Sequence, residues 1–163
     1  MNLPLQLLPE PLGAVHVLHP GDVACGERGD RFETLLGSCV AIVLTDPRRT
    51  LGAMCHIVHS PMRHAAWHDT GAYADVALDT MYTLLRARGI NPALCEAYVY
   101  GGGNMFPGVF TSQHVGEANA TWALDALAQD GVRVLQHDLG GTSYRRLRWT
   151  VGPDVPHVSA VPV

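Results

Sequence analysis

Two residues that together can make an activated nucleophile, Cys39 and His56, stand seventeen positions apart. The thiolate, not the thiol, attacks carbonyl carbon, and an adjacent imidazole can draw a cysteine pKa from about 8.5 to well below neutrality. The residues before the cysteine, Leu36-Gly37-Ser38-Cys39, include a glycine that permits a tight backbone turn and leaves amide groups able to face an oxyanion. Acyl transfer is the chemistry that this set suits. The other three cysteines, Cys25, Cys55 and Cys95, read as small buried hydrophobes. Cys55 precedes His56, but successive strand residues point to opposite faces, so it is not expected to share the site. No CxxC pair occurs, and a chain of 163 residues needs no disulfide staples. That pattern predicts a reducing, cytoplasmic compartment.

A second constellation could do different chemistry. His56, His59, His64 and His68 with Cys55 are all possible metal ligands, and His64 and His68 would share a face if their segment were helical. This would make a zinc-binding hydrolase. The intervening Ser60-Pro61-Met62-Arg63 reads as a loop, and no matched carboxylate or paired thiolate completes a ligand set. The chain has eleven arginines and no lysine, which excludes Schiff-base chemistry through a lysine amine.

The elements that must position Cys39 and His56 are legible from pattern. Cys39 to Thr45 is an apolar, β-branched run, Asp46-Pro47-Arg48-Arg49-Thr50 has turn chemistry, and Leu51 to Val58 is a second apolar run. These predict a β-hairpin. If Leu44 or Thr45 pairs with Leu51, Cys39 falls opposite His56 or its neighbour Ile57, and the choice of register decides whether the two side chains share a face. Helical spacing of Val76, Ala77, Met81, Leu84 and Leu85 predicts an amphipathic helix within Gly71 to Arg88, ended by Gly89. A second helix is expected over Glu117 to Gln129 before Gly131. Ala97 to Tyr100, Val132 to His137 and Arg146 to Val151 read as strands, and the proline-bearing tail after Gly152 as irregular. The alternation of elements predicts an α/β or α+β class.

Composition narrows the function. Hydrophobic residues make up 47% and charged residues 16% of the chain, the balance of one packed domain. A formal charge of −4 without a basic patch argues against a nucleic-acid binder. No run approaches the roughly 18–20 apolar residues of a membrane span, so no membrane insertion is expected. The start, Met1 to Pro9, lacks a positive region and carries two prolines, which does not fit an export signal.

Spacing and residue type together then bring a family into view. Thr34-Leu35-Leu36-Gly37-Ser38-Cys39-Val40-Ala41, Asp46-Pro47 and Gly52-Ala53-Met54-Cys55-His56 resemble the signature of CheD, the chemoreceptor glutamine deamidase family of bacterial chemotaxis. The resemblance continues through Tyr73-Ala74-Asp75, Gly101-Gly102-Gly103-Asn104-Met105-Phe106, Gly116-Glu117-Ala118-Asn119 and Asp138-Leu139-Gly140-Gly141 with Arg145, over about residues 15–150. It implies one α/β domain over residues 1–163, a layered α-β-β sandwich like that of thiol deamidases. It also implies a catalytic Cys39 and His56, with a third polar residue that is Thr34 or, in a shifted alignment, Glu33. Relatives often carry glycine where Tyr144 stands, and Arg145 is left out of the catalytic set. The implied reaction converts a glutamine of a methyl-accepting chemotaxis receptor to glutamate through a thioester, with no cofactor and no metal. The chemotaxis phosphatase CheC is the implied regulatory partner. A non-catalytic chemotaxis interaction module is the remaining alternative, against which the intact Cys39 and His56 stand.

Overall fold

The run Val40-Ala41-Ile42-Val43-Leu44-Thr45 has no polar side, so both of its faces must be covered. In a computed structural model, which describes residues 13–61 and 70–161, this run is the fully buried central strand of a three-layer sandwich. The elements in chain order are β1 (Val15–Val17), β2 (Val23–Glu27), β3 (Arg31–Leu36), β4 (Val40–Thr45), β5 (Leu51–Ile57), α1 (Ala74–Ala87), β6 (Glu96–Gly101), α2 (Val115–Gln129), β7 (Arg133–Leu139), β8 (Tyr144–Thr150) and β9 (His157–Val161). One sheet has the order β2-β5-β4-β6-β7 and the other β1-β3-β8-β9. Helices α1 and α2 cover one face of the five-stranded sheet, and the four-stranded sheet covers the other.

Strand alternation divides the core in two. Val40, Ile42, Leu44, Ala53, Cys55 and Ile57 face the helices. Ala41, Val43 and Met54 face the second sheet, where they meet Phe32, Leu36, Leu147 and Trp149. Both helices end alike. At α1, Gly89 takes a φ of 81°, its amide bonds Arg86 O at 3.0 Å and Ile90 N bonds Leu85 O at 3.0 Å. At α2, Gly131 takes a φ of 73°, with bonds to Ala128 O at 3.2 Å and from Val132 N to Leu127 O at 2.9 Å. Each is a Schellman stop, which leaves the carbonyls of the last turn paired.

The fold is the expected α/β sandwich, and three details depart from the sequence reading. The hairpin register is one residue beyond the Thr45–Leu51 pairing and two beyond the Leu44–Leu51 pairing, with Thr45 opposite Gly52, Ala41 opposite His56 and Val40 opposite Ile57. Asp46 causes the shift. Its carboxylate accepts from Thr50 N at 2.8 Å, Leu51 N at 2.9 Å and Thr50 Oγ1 at 2.7 Å, which widens the turn before pairing resumes. Second, Cys39 lies just before β4 rather than inside it. Third, the tail is not irregular throughout, because β9 pairs antiparallel with β8 from Tyr144↔Val161 to Arg148↔His157. Pro153 and Pro156 fall in the turn before β9, where they remove no ladder hydrogen bond. Strands β1, β2 and β3 were also outside the sequence reading, being short and interrupted by glycine or charge.

Candidate active site

Cys39 and His56 come together by strand parity. His56 is opposite Ala41, and Cys39 lies two residues before Ala41, so both project from the sheet face that meets the four-stranded sheet. They are diagonal neighbours, a relation that typically spaces Cα atoms by about 7–8 Å. Cys39 is a partly buried free thiol. Burial pushes its pKa up, opposite to the expected lowering by His56. Desolvation opposes the charged form and no cation among the described residues offsets it, so the resting thiol is protonated at neutral pH.

The cysteine's segment is held by its carbonyls. Gly103 N donates to Gly37 O at 2.9 Å and Gly102 N to Cys39 O at 2.9 Å, and Asn119 Nδ2 donates to Ser38 O at 3.2 Å. The amides of Gly37, Ser38 and Cys39 have no acceptor among the described residues. Gly101 has to be glycine here, since it takes a φ of 112° and a Cβ would strike the Cys39 carbonyl. Arg145, buried behind this turn, donates to Asp138 Oδ1 at 3.0 Å and to Gly101 O at 3.2 Å.

His56 is 3% exposed and its ring is oriented from the other sheet. Thr34, inward on β3 and 4% exposed, places Oγ1 2.7 Å from His56 Nδ1 and donates its one proton to Leu18 O at 2.8 Å. A hydroxyl whose proton is committed can only accept. The hydrogen is therefore on Nδ1, and Nε2 carries the lone pair. Burial holds the imidazole pKa below its ordinary value, partly offset by the Leu18 carbonyl and Asp22, so His56 is neutral at pH 7. Glu33, the other candidate orienting residue, points to the opposite face of β3 and lies 3.7 Å from Arg31. Thr34→Val is expected to leave Nδ1–H against a methyl group. Activity should fall about 10- to 100-fold and unfolding free energy by about 1–3 kcal/mol. Thr34→Ser should restore both, as steady-state kinetics and urea unfolding can check.

The remaining candidates separate cleanly. Cys55 faces the helices and burial pushes its thiol up to about 12, while Cys95 is pushed up to about 11. Burial also raises Cys25. His59 packs against the Tyr73 ring at 5.5 Å, and His64 and His68 lie outside the described residues. Among the described residues, no three His, Cys, Asp or Glu side chains group as a metal site. A cleft of about 650 Å³ reaches His56 between Leu18, Thr34, Glu33, Arg146 and Arg148; Cys39 is not among its walls.

Residues 59–152 match the family model described as CheD chemotactic sensory transduction. A "Probable chemoreceptor glutamine deamidase CheD 2" of Albidiferax ferrireducens is 37% identical over 139 residues, covering 82% of this chain and 80% of the relative. The "Probable chemoreceptor glutamine deamidase CheD" of Pseudomonas syringae pv. syringae is 34% identical over 148 residues, covering 84% and 80%. A protein of the same name from Methanococcus vannielii is 37% identical over 125 residues, covering 77% and 81%. The chain belongs to the CheD family.

The CheD model match begins at residue 59, after Thr34, Cys39 and His56. It does contain Asn119, which bonds the cysteine's segment at Ser38 O, and Asp138 and Arg145, which bond each other, Arg145 also donating to Gly101 O. Sequence reasoning noted the CheD-like strings around these three and assigned none of them a role. The available signal was a polar residue at a helix position spaced for burial, Asn119 three residues after Gly116 and four before Ala123.

Proposed function

We propose that this CheD-family chain is a protein-glutamine deamidase acting on methyl-accepting chemotaxis receptors, with Cys39 as nucleophile, His56 as proton carrier and Thr34 as its orienting residue. The observation that carries the proposal is His56 Nδ1 set 2.7 Å from a Thr34 hydroxyl that donates to Leu18 O, with the ring on the same sheet face as Cys39. The names of the relatives supply the substrate class.

The reaction begins from a neutral pair. As Cys39 Sγ attacks the carboxamide carbon, His56 Nε2 takes the thiol proton, and the oxyanion is met by free amides of the Gly37–Cys39 segment. The imidazolium is stabilised at Nδ1–H by Thr34 and the Leu18 carbonyl. It then returns its proton to the departing nitrogen, which leaves as ammonia, and a thioester remains. Water gives a proton to His56 and attacks the thioester, releasing glutamate and restoring the thiol. A carboxamide has become a carboxylate, adding one negative charge to a receptor helix, where charge alters packing and signalling.

Incubation with receptor cytoplasmic fragments, followed by peptide mass spectrometry for glutamine-to-glutamate conversion, tests the reading; no conversion would defeat it. A substrate on the cytoplasmic region of a receptor makes the cytoplasm the proposed location of the enzyme; separately, no helix among the described residues is long and apolar enough to cross a membrane. CheC is the proposed regulatory partner, on the strength of the family resemblance. Exhaustive chelation is expected to leave the rate unchanged, because thiol and imidazole suffice without a Lewis acid. Loss on chelation with recovery on zinc addition would favour the histidine-cluster hydrolase instead.

A further inference from the structure

We propose that Asn119 is a positioning residue that clamps the Cys39 segment to the end of the His56 strand, and that turnover depends on this clamp. Asn119 is 0% exposed on the buried side of α2, with Gly116, Ala123 and Leu127. Its Nδ2 donates both hydrogens, at 3.2 Å to Ser38 O and 2.9 Å to Val58 O. Its Oδ1 has no partner among the described residues. The amide cannot be turned over, since that would set its oxygen against two carbonyl oxygens. A buried acceptor without a donor works against folding, and an apolar side chain of similar size would avoid it. The same apolar side chain would leave the Ser38 and Val58 carbonyls without their donor, so what the amide contributes here is the bridge between those two segments.

Its effect is visible at the end of the ladder. Pairing of β4 with β5 stops at Val40↔Ile57. The carbonyls of Ser38, just before the nucleophile, and Val58, two residues after His56, lie past the last rung. Asn119 supplies the cross-link that the backbone no longer makes. Removing the amide leaves both part-buried carbonyls without donors, and the relief is for the Gly37–Cys39 segment to swing toward water. No hydrogen bond between Cys39 and His56 opposes that movement. A displacement of about 1 Å at a reacting group can lower a rate by about a hundredfold.

The turnover arm of the test rests on the deamidase reading, and a second arm does not. Asn119→Ala is compared with Leu127→Ala, a packing control on the same helix, with both held below their unfolding temperatures. Asn119→Ala is expected to lose at least about tenfold in kcat on a receptor fragment with KM within about twofold. Its Cys39 alkylation profile, resolved from Cys25 by peptide mapping, should move to lower pH as the burial that raises the thiol is relieved. Leu127→Ala should be less stable yet keep the kcat and the profile. If the alanine variant does not fold, Asn119→Asp has the same shape and sets a carboxylate oxygen against the two carbonyls. It should show the same loss of kcat at pH 8. Either outcome overturns the proposal: an unchanged kcat and profile in the Asn119 variants, or equal losses in Leu127→Ala. A wild-type chain that deamidates no receptor fragment defeats the functional reading, while the alkylation arm still decides on Asn119.

Discussion

Cys39→Ala is expected to lower receptor deamidation by at least about a thousandfold, because in the proposed mechanism Cys39 alone forms the covalent intermediate. Removing one sulfur from a partly buried position should change the unfolding free energy by no more than about 1 kcal/mol, so loss of turnover in a folded protein is the diagnostic result. Turnover near the wild-type rate would remove Cys39 from the mechanism and bring forward the non-catalytic or metal-dependent readings. The resting chemistry can be checked on the same protein. Burial raises the Cys39 thiol, so iodoacetamide should label it slowly at pH 7, with the rate still climbing beyond the ordinary thiol value of 9.0. Rapid labelling at neutral pH would mean a preformed thiolate–imidazolium pair instead of proton transfer on substrate binding.

His56→Ala should cost about 10²- to 10⁴-fold in kcat if, as proposed, the imidazole serves as base and then as acid in each half of the reaction. The wild-type pH profile carries the matching signature. Activity requires neutral His56, whose pKa lies below the ordinary 6.5, so the acid limb of kcat/KM should fall below that value. It also requires the thiol proton, so the alkaline limb should lie above 9.0. A plateau broader than that of an unperturbed pair is expected. The same imidazole links stability to pH. As pH falls below 6.5, the unfolded chain binds a proton that buried His56 refuses until its own lower pKa is reached. Across that window the unfolded state holds more protons, so stability declines as the solution is acidified and is retained above it. His56→Ala should flatten this part of the stability curve. An unchanged slope, measured by urea unfolding between pH 7 and 5, would show that His56 is not the group responsible.

The residues of the candidate site and the elements that bear them differ in how far they could be read from sequence. The hairpin carrying Cys39 and His56 was evident because two apolar runs and an Asp-Pro turn are local patterns. The two helices and their glycine stops were evident for the same reason: periodicity and capping are written within a few residues. Register was less accessible. It depended on Asp46 drawing Thr50 and Leu51 into its turn, and that one-residue change decides which face every β5 side chain takes. The sequence proposed Cys39 and His56 as partners, and the observed register sets them diagonally on one face.

The sequence by itself determined the α/β class, the hairpin, the thiol and imidazole as candidate reactants, and the family. Tertiary structure decided what surrounds them. The choice between Thr34 and Glu33 required knowing which face of β3 packs inward, and Thr34 reaches His56 from a different sheet. The protonated state of Cys39 followed from burial, not from its neighbours in the chain. Asn119 is 81 residues from Ser38 and 61 from Val58, so its bridge has no local pattern to announce it. Periodicity, turns and caps arise from interactions between residues close in sequence, whereas tautomer, desolvation and the holding of a nucleophile arise where distant segments pack, and only the folded chain brings those together.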